Sequence, residues 1–154
     1  MTVKDGRWEG PILDNHFHLD PAGRGVDAAL DFKRAGGTHL VLVHKPDFES
    51  LPTTIEQISS SYDGTIKMAE SVRKELDLDV RVVLGPHPAA WFHQTVSMGL
   101  EEANKLHLGA VELAIEHCEE GRASGVGEIG RPHWDVGDEA MARADEVLID
   151  MLAM

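Results

Sequence analysis

The chain has 154 residues, and its 27 Asp and Glu residues outnumber its 14 Lys and Arg residues, which gives a net charge of −13 at pH 7. This length fits one domain, and the 42% hydrophobic content is enough for a core, which argues against intrinsic disorder. The acidity disfavours nucleic-acid binding through Lys and Arg. The sequence contains no apolar run of about 18 residues, which is the length that would predict a membrane span. Since Cys118 is the only cysteine, an intrachain disulfide and a Cys-based zinc cluster are both excluded. We expect a cytoplasmic protein with no membrane partner.

Strand-like segments alternate with helix-like segments along the whole chain. We predict strands over residues 11–18, 39–44, 80–84 and 125–129. We predict helices over residues 26–35, 65–76, 94–120 with an interruption near Gly109, and 138–152. The second and third strands are nearly continuous apolar runs, which are typical of parallel strands buried on both faces. The alternation therefore indicates βαβ units and an α/β fold with a parallel sheet.

Two α/β architectures fit this alternation. An open doubly wound sheet could be complete at this length, whereas a (β/α)8 barrel needs about 250 residues, so four βα units would form half a barrel. The sequence Gly-Val-Gly-Glu-Ile-Gly at 125–130 fits G-x-G-x-x-G, but it coincides with the fourth predicted strand, and neither this motif nor a Walker motif follows a predicted strand. A nucleotide-binding open sheet therefore lacks its usual sequence support.

Histidines lie at the ends of the first three predicted strands. His16 and His18 are two residues apart, so both side chains should project from one face of the first strand. His44 ends the second strand, and His87 follows the third. Imidazole is the commonest metal ligand, and active sites of parallel α/β proteins lie at the carboxyl ends of strands. The alternatives are a solvated or packed pair for His16 and His18, an ordinary strand exit for His44 and a turn residue for His87.

The fourth predicted strand contains one carboxylate, Glu128, among small and apolar residues. Burial of an unpartnered carboxylate is costly, so the side chain needs a counter-charge. One or two metal ions would supply it. The alternative is an ion pair with Arg131 or Arg81.

Three motifs in this order resemble the TatD-like metal-dependent hydrolases. They are Asp-Asn-His-Phe-His-Leu-Asp at 14–20, Gly-Pro-His-Pro at 85–88 and Gly-Glu-Ile-Gly at 127–130. The continuation Gly-Arg-Pro-His at 130–133 is similar to an archaeal-type subgroup of predicted hydrolases. This branch of the amidohydrolase superfamily has a TIM-barrel fold, and the resemblance spans nearly the whole chain. It implies that residues 1–154 are the N-terminal half of a single (β/α)8 barrel with no second domain.

The resemblance also implies roles for individual residues. His16 and His18 would bind one divalent ion, and Glu128 would bridge two ions and take part in catalysis. Zinc, manganese and magnesium all fit a site of His and carboxylate ligands. A metal-activated water would attack a phosphodiester or related ester. His87, Arg131 and His133 would contact the substrate, with Arg131 as a phosphate clamp.

The chain departs from the family pattern in two respects. Better-known members read Gly-Glu-Ile-Gly-Leu-Asp at the fourth strand, where this chain has Arg131, Pro132 and His133. We therefore expect a small phosphorylated or ester substrate in preference to long DNA, with amide or lactone hydrolysis as the alternative. The family also takes two His ligands and a catalytic Asp from strands five, six and eight, which these 154 residues do not supply.

A half barrel leaves two sheet edges open, and open edges pair readily with other chains. We therefore expect weak metal binding, low stability and self-association of these residues alone. The alternative is a catalytically incomplete α/β fragment that acts as a binding or assembly module.

Overall fold

The computed structural model describes residues 3–154. Six strands are present in this part of the chain: β1 Val3–Lys4, β2 Arg7–Trp8, β3 Leu13–Phe17, β4 His39–Val43, β5 Asp79–Leu84 and β6 Gly125–Val126. The five helices are α1 Val26–Arg34, α2 Ile55–Leu76, α3 Pro88–Met98, α4 Leu100–Glu119 and α5 Asp138–Leu152. Among residues 3–154, no helix combines the length and the apolar composition that a membrane span requires.

Strands β3 to β6 form one parallel sheet in the order β3-β4-β5-β6, and each is followed by at least one helix. This order gives four βα units, which confirms the predicted α/β class and is consistent with part of a TIM barrel. Strands β1 and β2 form a separate antiparallel hairpin. The hairpin was not predicted, because two-residue strands are too short to show a hydrophobic period.

The main core lies between the sheet and the helices. Along β5, Val80, Val82 and Leu84 are buried, while Arg81 between them is exposed. Helix α2 covers the buried face with one side of its surface, formed by Ile58, Tyr62, Ile66, Ala69 and Val72. The prediction that these strands are buried on both faces is therefore only partly correct, because one face of β5 carries charged residues.

Helix α2 begins at Ile55 and not at Thr65 as predicted. A capping box starts it: the Thr54 hydroxyl accepts the backbone N–H of Gln57, and the Gln57 side chain accepts the backbone N–H of Thr54. Polar residues fill most of the first two turns, and they concealed the helical period in the sequence.

The third helical region breaks at Gly99 and not near Gly109. Gly99 has a φ of 93°, which favours glycine, and it separates α3 from α4. Gly109 lies inside α4, where a Cβ would come within 3.3 Å of the Ile55 Cδ1 atom of α2. Its small size therefore serves close packing of two helices. Helix α3 also begins earlier than predicted, at Pro88, because proline is favoured in a first helical turn.

Candidate metal centre

Strand β3 has a bulge between Asp14 and Phe17, which contains His16 and comes just before His18. Asp14 pairs with Leu40 and Phe17 pairs with Leu42, so three steps along β3 face two steps along β4. The Asp14 carboxylate accepts the backbone N–H of His16 at 3.0 Å inside this bulge. The irregularity directs His16 toward His18, and their ring centroids lie 4.8 Å apart.

The three residues predicted as metal ligands come together at the carboxyl edge of the sheet. The Nε2 atoms of His16 and His18 are 3.2 Å apart. The Oε2 atom of Glu128 lies 3.4 Å from Nε2 of His16 and 4.0 Å from Nε2 of His18. One ligand atom from each residue lies within 4.8 Å of the others. Two imidazoles and one carboxylate at this spacing match the ligand chemistry of zinc and related ions.

The partner of Glu128 is not an arginine. Arg81 pairs with Asp79 at 3.3 Å, and Arg131 pairs with Asp145 at 3.1 Å. The alternative of an ion pair between Glu128 and Arg131 or Arg81 is therefore wrong, because both arginines form ion pairs with other carboxylates.

A hydrogen bond to the backbone determines which ring nitrogen of His18 can bind a metal. Its Nδ1 atom lies 2.9 Å from the Val43 carbonyl oxygen, which can only accept. The proton of the neutral ring is therefore on Nδ1, and the Nε2 lone pair points into the cluster, where it can accept from Nε2 of His16. A backbone carbonyl behind the second nitrogen is the usual support of a metal-binding histidine. The residues present thus fit a divalent ion.

His87 has the opposite arrangement. Its Nδ1 atom accepts the backbone N–H of Ala89 at 3.0 Å, as the N-cap of α3. The proton of the neutral ring is therefore on Nε2, which lies 3.6 Å from Oε2 of Glu128. Burial lowers the pKa of His87, whereas the Glu128 carboxylate opposes that shift. His87 thus presents an N–H donor beside the ligand cluster.

Glu128 is positioned by a close approach of two strand ends. A Cβ atom at Gly85 would lie 2.5 Å from the carbonyl carbon of Gly127, so no larger residue fits there without a backbone shift. The backbone N–H of Gly127 also donates to the Leu84 carbonyl at 2.8 Å. These contacts fix the backbone that precedes Glu128.

The other two residues predicted to contact the substrate stay predictions. Arg131 is tied to Asp145 of α5, and His133 is exposed beside Trp134, with ring centroids 5.0 Å apart. Within residues 3–154, neither side chain makes a hydrogen bond or ion pair with the ligand cluster.

His44 is buried beside the cluster and is not one of its ligands. Its Nδ1 atom lies 2.9 Å from the Thr65 hydroxyl, and that hydroxyl donates to the Ser61 carbonyl at 3.3 Å. Because the Thr65 proton is used, His44 must donate from Nδ1. Burial, with help from His18 and His87, lowers the pKa of His44 to about 4, so its ring is neutral at pH 7.

A cleft of about 600 Å³ next to the cluster was not foreseen. Its lining includes Asp20, Lys45, Phe48 and Glu49, which lie in the loops after β3 and β4. Sequence reasoning assigned the second loop no function because it is polar and shows no period. The one available signal was Phe48, a large apolar residue within that polar loop.

Comparison with known proteins identifies the family of the chain. The chain is 30% identical over 141 residues to the uncharacterized protein MJ1127 of Methanocaldococcus jannaschii, which corresponds to 90% of this chain and 48% of that relative. The chain thus spans about half the length of the curated relative it matches. No solved structure matches it significantly. A family model described as TatD related DNase matches residues 13–154. Since that match covers nearly the whole chain, the chain belongs to the family of TatD related DNases.

Proposed function

We propose that residues 1–154 are the N-terminal half of a metal-dependent hydrolase barrel that cleaves phosphodiester or related ester bonds. Family membership supports a hydrolase of nuclease type. The match to about half of the archaeal relative supports the half-barrel part of the proposal.

One observation carries this proposal: three ligand atoms, from His16, His18 and Glu128, lie within 4.8 Å of one another. They lie at the carboxyl ends of parallel strands, where barrel enzymes place their active sites. These residues would hold one or two ions of zinc, manganese or magnesium. The chemistry that such ions supply is the activation of water near neutral pH and the polarisation of the scissile group.

The residues in and around the cluster would have separate roles. His18 donates its Nδ1–H to the Val43 carbonyl, which keeps a lone pair on Nε2 that would bind the ion. The Glu128 carboxylate supplies negative charge and a proton acceptor between the two strand ends. The Nε2–H group of His87, 3.6 Å from that carboxylate, would donate to an ester oxygen of the substrate. We assign Arg131 and His133 to substrate binding from the loop after β6.

The test compares ester, phosphodiester, amide and lactone substrates on the full-length protein with Mn²⁺ or Zn²⁺. We expect hydrolysis of a phosphodiester, loss of that activity with EDTA, and a decrease of at least about 100-fold for Glu128→Gln. Ile149→Ala is a matched control, because Ile149 lies on α5 and is 65% exposed. Turnover of only the amide or lactone would overturn the phosphodiester assignment. A protein that hydrolyses none of these substrates would favour the binding or assembly module.

A further inference from the structure

A buried pair of polar side chains joins α3 to α4 close to His87. Gln94 of α3 and His107 of α4 are each only 2% exposed. Nε2 of His107 lies 2.6 Å from Oε1 of Gln94. Both side chains line the same cavity of about 20 Å³ as His87, which is the N-cap of α3. The pair and the donor histidine therefore border one small space inside the fold.

A backbone carbonyl fixes the direction of each hydrogen bond made by this pair. The Pro52 carbonyl oxygen can only accept, and it lies 2.6 Å from Nε2 of Gln94. The amide nitrogen of Gln94 therefore faces Pro52, and the amide oxygen faces His107. His107 must then donate from Nε2, while its buried Nδ1 atom makes no hydrogen bond with residues 3–154. Gln94 thus connects α4 with the segment that contains Pro52.

The segment that Gln94 holds is the loop that carries Phe48. This loop, residues 44–54, joins β4 to α2, and Pro52 lies near its end. The Phe48 ring packs against the His87 ring, with centroids 5.4 Å apart and an angle of 86° between the planes. Phe48 lies on the loop and His87 caps α3, so Gln94 joins the two segments that make this ring contact.

Stability alone does not explain a buried pair of Gln and His. Burial removes both side chains from water, and replacement of both partners by apolar groups of the same shape is often nearly neutral or even stabilising. A second hydrogen bond already joins α3 to α4, from Nε1 of Trp91 to Oδ1 of Asn104 at 2.8 Å. The additional effect of the buried pair is to fix the position of Pro52, and with it the loop, relative to α3.

We propose that Gln94 and His107 are positioning residues for His87, which act through Pro52 by holding the loop after β4 so that Phe48 packs against the His87 ring. This contact limits rotation of the imidazole and keeps its Nε2–H near the Glu128 carboxylate, 3.6 Å away. The proposal rests on the proposed hydrolysis only in treating that N–H group as a donor to the substrate. A misplaced donor lowers kcat more than it raises KM, because its hydrogen bond is strongest in the transition state.

Proton resonances of the His87 ring test the positioning without any turnover. In histidine-labelled full-length protein, Phe48→Leu removes the aromatic ring and its ring-current shift from His87. Gln94→Leu combined with His107→Leu should move the same resonances in the same direction. Gln94→Met is a milder variant with the same expected effect, since methionine keeps a similar volume and removes only the polar groups. Asn104→Leu is the matched control and should leave the resonances unchanged, because it removes an α3–α4 hydrogen bond that does not involve the loop.

Turnover of a phosphodiester shows whether the pair acts through His87. The double variant Gln94→Leu with His107→Leu should lower kcat by about 10-fold and change KM by less than about twofold. In a His87→Ala background the same two substitutions should have no further effect, because their action requires the His87 ring. His107→Gln keeps an N–H donor for Gln94 and should retain the native kcat.

The outcomes separate this proposal from the proposed function. Unchanged His87 resonances in the double variant and in Gln94→Met would overturn the positioning role and leave the hydrolase proposal standing. An equal loss of kcat with and without His87 would do the same. A full-length protein that hydrolyses no ester would overturn the hydrolase, and the His87 resonances would still decide whether Gln94 and His107 position this ring.

Discussion

His18 and His87 face the same oxygen atom of Glu128 with the same ring atom, Nε2, and their backbone hydrogen bonds favour opposite tautomers. The Val43 carbonyl places the His18 proton on Nδ1, and the Ala89 backbone N–H forces the His87 proton onto Nε2. Their Nε2 atoms lie 4.0 Å and 3.6 Å from Oε2 of Glu128. The backbone thus favours a lone pair on Nε2 of His18 and an N–H donor on Nε2 of His87, although both side chains are imidazoles.

We predict that metal affinity depends on His18 and only weakly on His87. His18→Ala should reduce Mn²⁺ or Zn²⁺ affinity by at least about 10-fold, because it removes a ligand lone pair. His87→Gln keeps an N–H donor near Glu128 and should change affinity by less than about threefold. Calorimetric titration of the metal measures both. Equal losses for the two variants would show that the backbone hydrogen bonds do not set the roles of the two rings.

We predict that Gly85→Ala disturbs the metal site although position 85 carries no ligand. The new Cβ would lie 2.5 Å from the Gly127 carbonyl carbon, so the backbone before Glu128 must shift. Free energy of unfolding should fall by about 1–3 kcal/mol, and metal affinity by at least about 10-fold. Urea denaturation and metal titration measure these effects.

The matched control is Gly64→Ala. Gly64 lies inside α2, and a Cβ there meets nothing within 4 Å. Alanine favours a helix interior, so this variant should be more stable by about 0.5–1 kcal/mol with unchanged metal affinity. If both variants leave metal binding intact, close approach of the strand ends does not position Glu128.

Buried neutral histidines should make the fold sensitive to mild acid. Burial lowers the pKa of His44 to about 4 and that of His107 to about 3, from an ordinary value near 6.5. Between the folded and unfolded pKa values only the unfolded chain binds the proton, so the stability contribution is complete above about pH 6.5 and is lost as the pH falls toward 4. Each such histidine contributes a slope of up to about 1.4 kcal/mol per pH unit.

Urea denaturation between pH 5 and 7 measures this slope, and His44→Gln should remove the part that belongs to His44. Nitrogen chemical shifts of the His44 ring should also report an Nδ1–H tautomer that stays neutral at pH 5.5. Protonation of that ring near pH 6.5 in the folded chain would contradict the prediction.

The sequence predicted most of the fold because the relevant signals are local. Continuous apolar runs identified β4 and β5, and the helical period of α5 gave its bounds, Asp138–Leu152. The start of α2 was not predicted, because its capping box lies among polar residues that indicated a loop. Histidines at strand ends indicated a metal site, since parallel strands bring their carboxyl ends together. The tautomers of His18 and His87 depend on backbone atoms of other segments, so no local pattern could predict them.

The open edge of β3 leads to the last prediction, self-association of these residues. Within residues 3–154, β3 pairs only with β4, and Leu13 on β3 is 57% exposed. An apolar side chain on an edge strand favours pairing with another chain, whereas lysine at such an edge opposes it. Sedimentation velocity over a concentration series should show association of the chain, and Leu13→Lys should shift it toward monomer. Ile149→Lys, at a similarly exposed position on α5, should not. A monomer at every concentration would contradict pairing through the β3 edge.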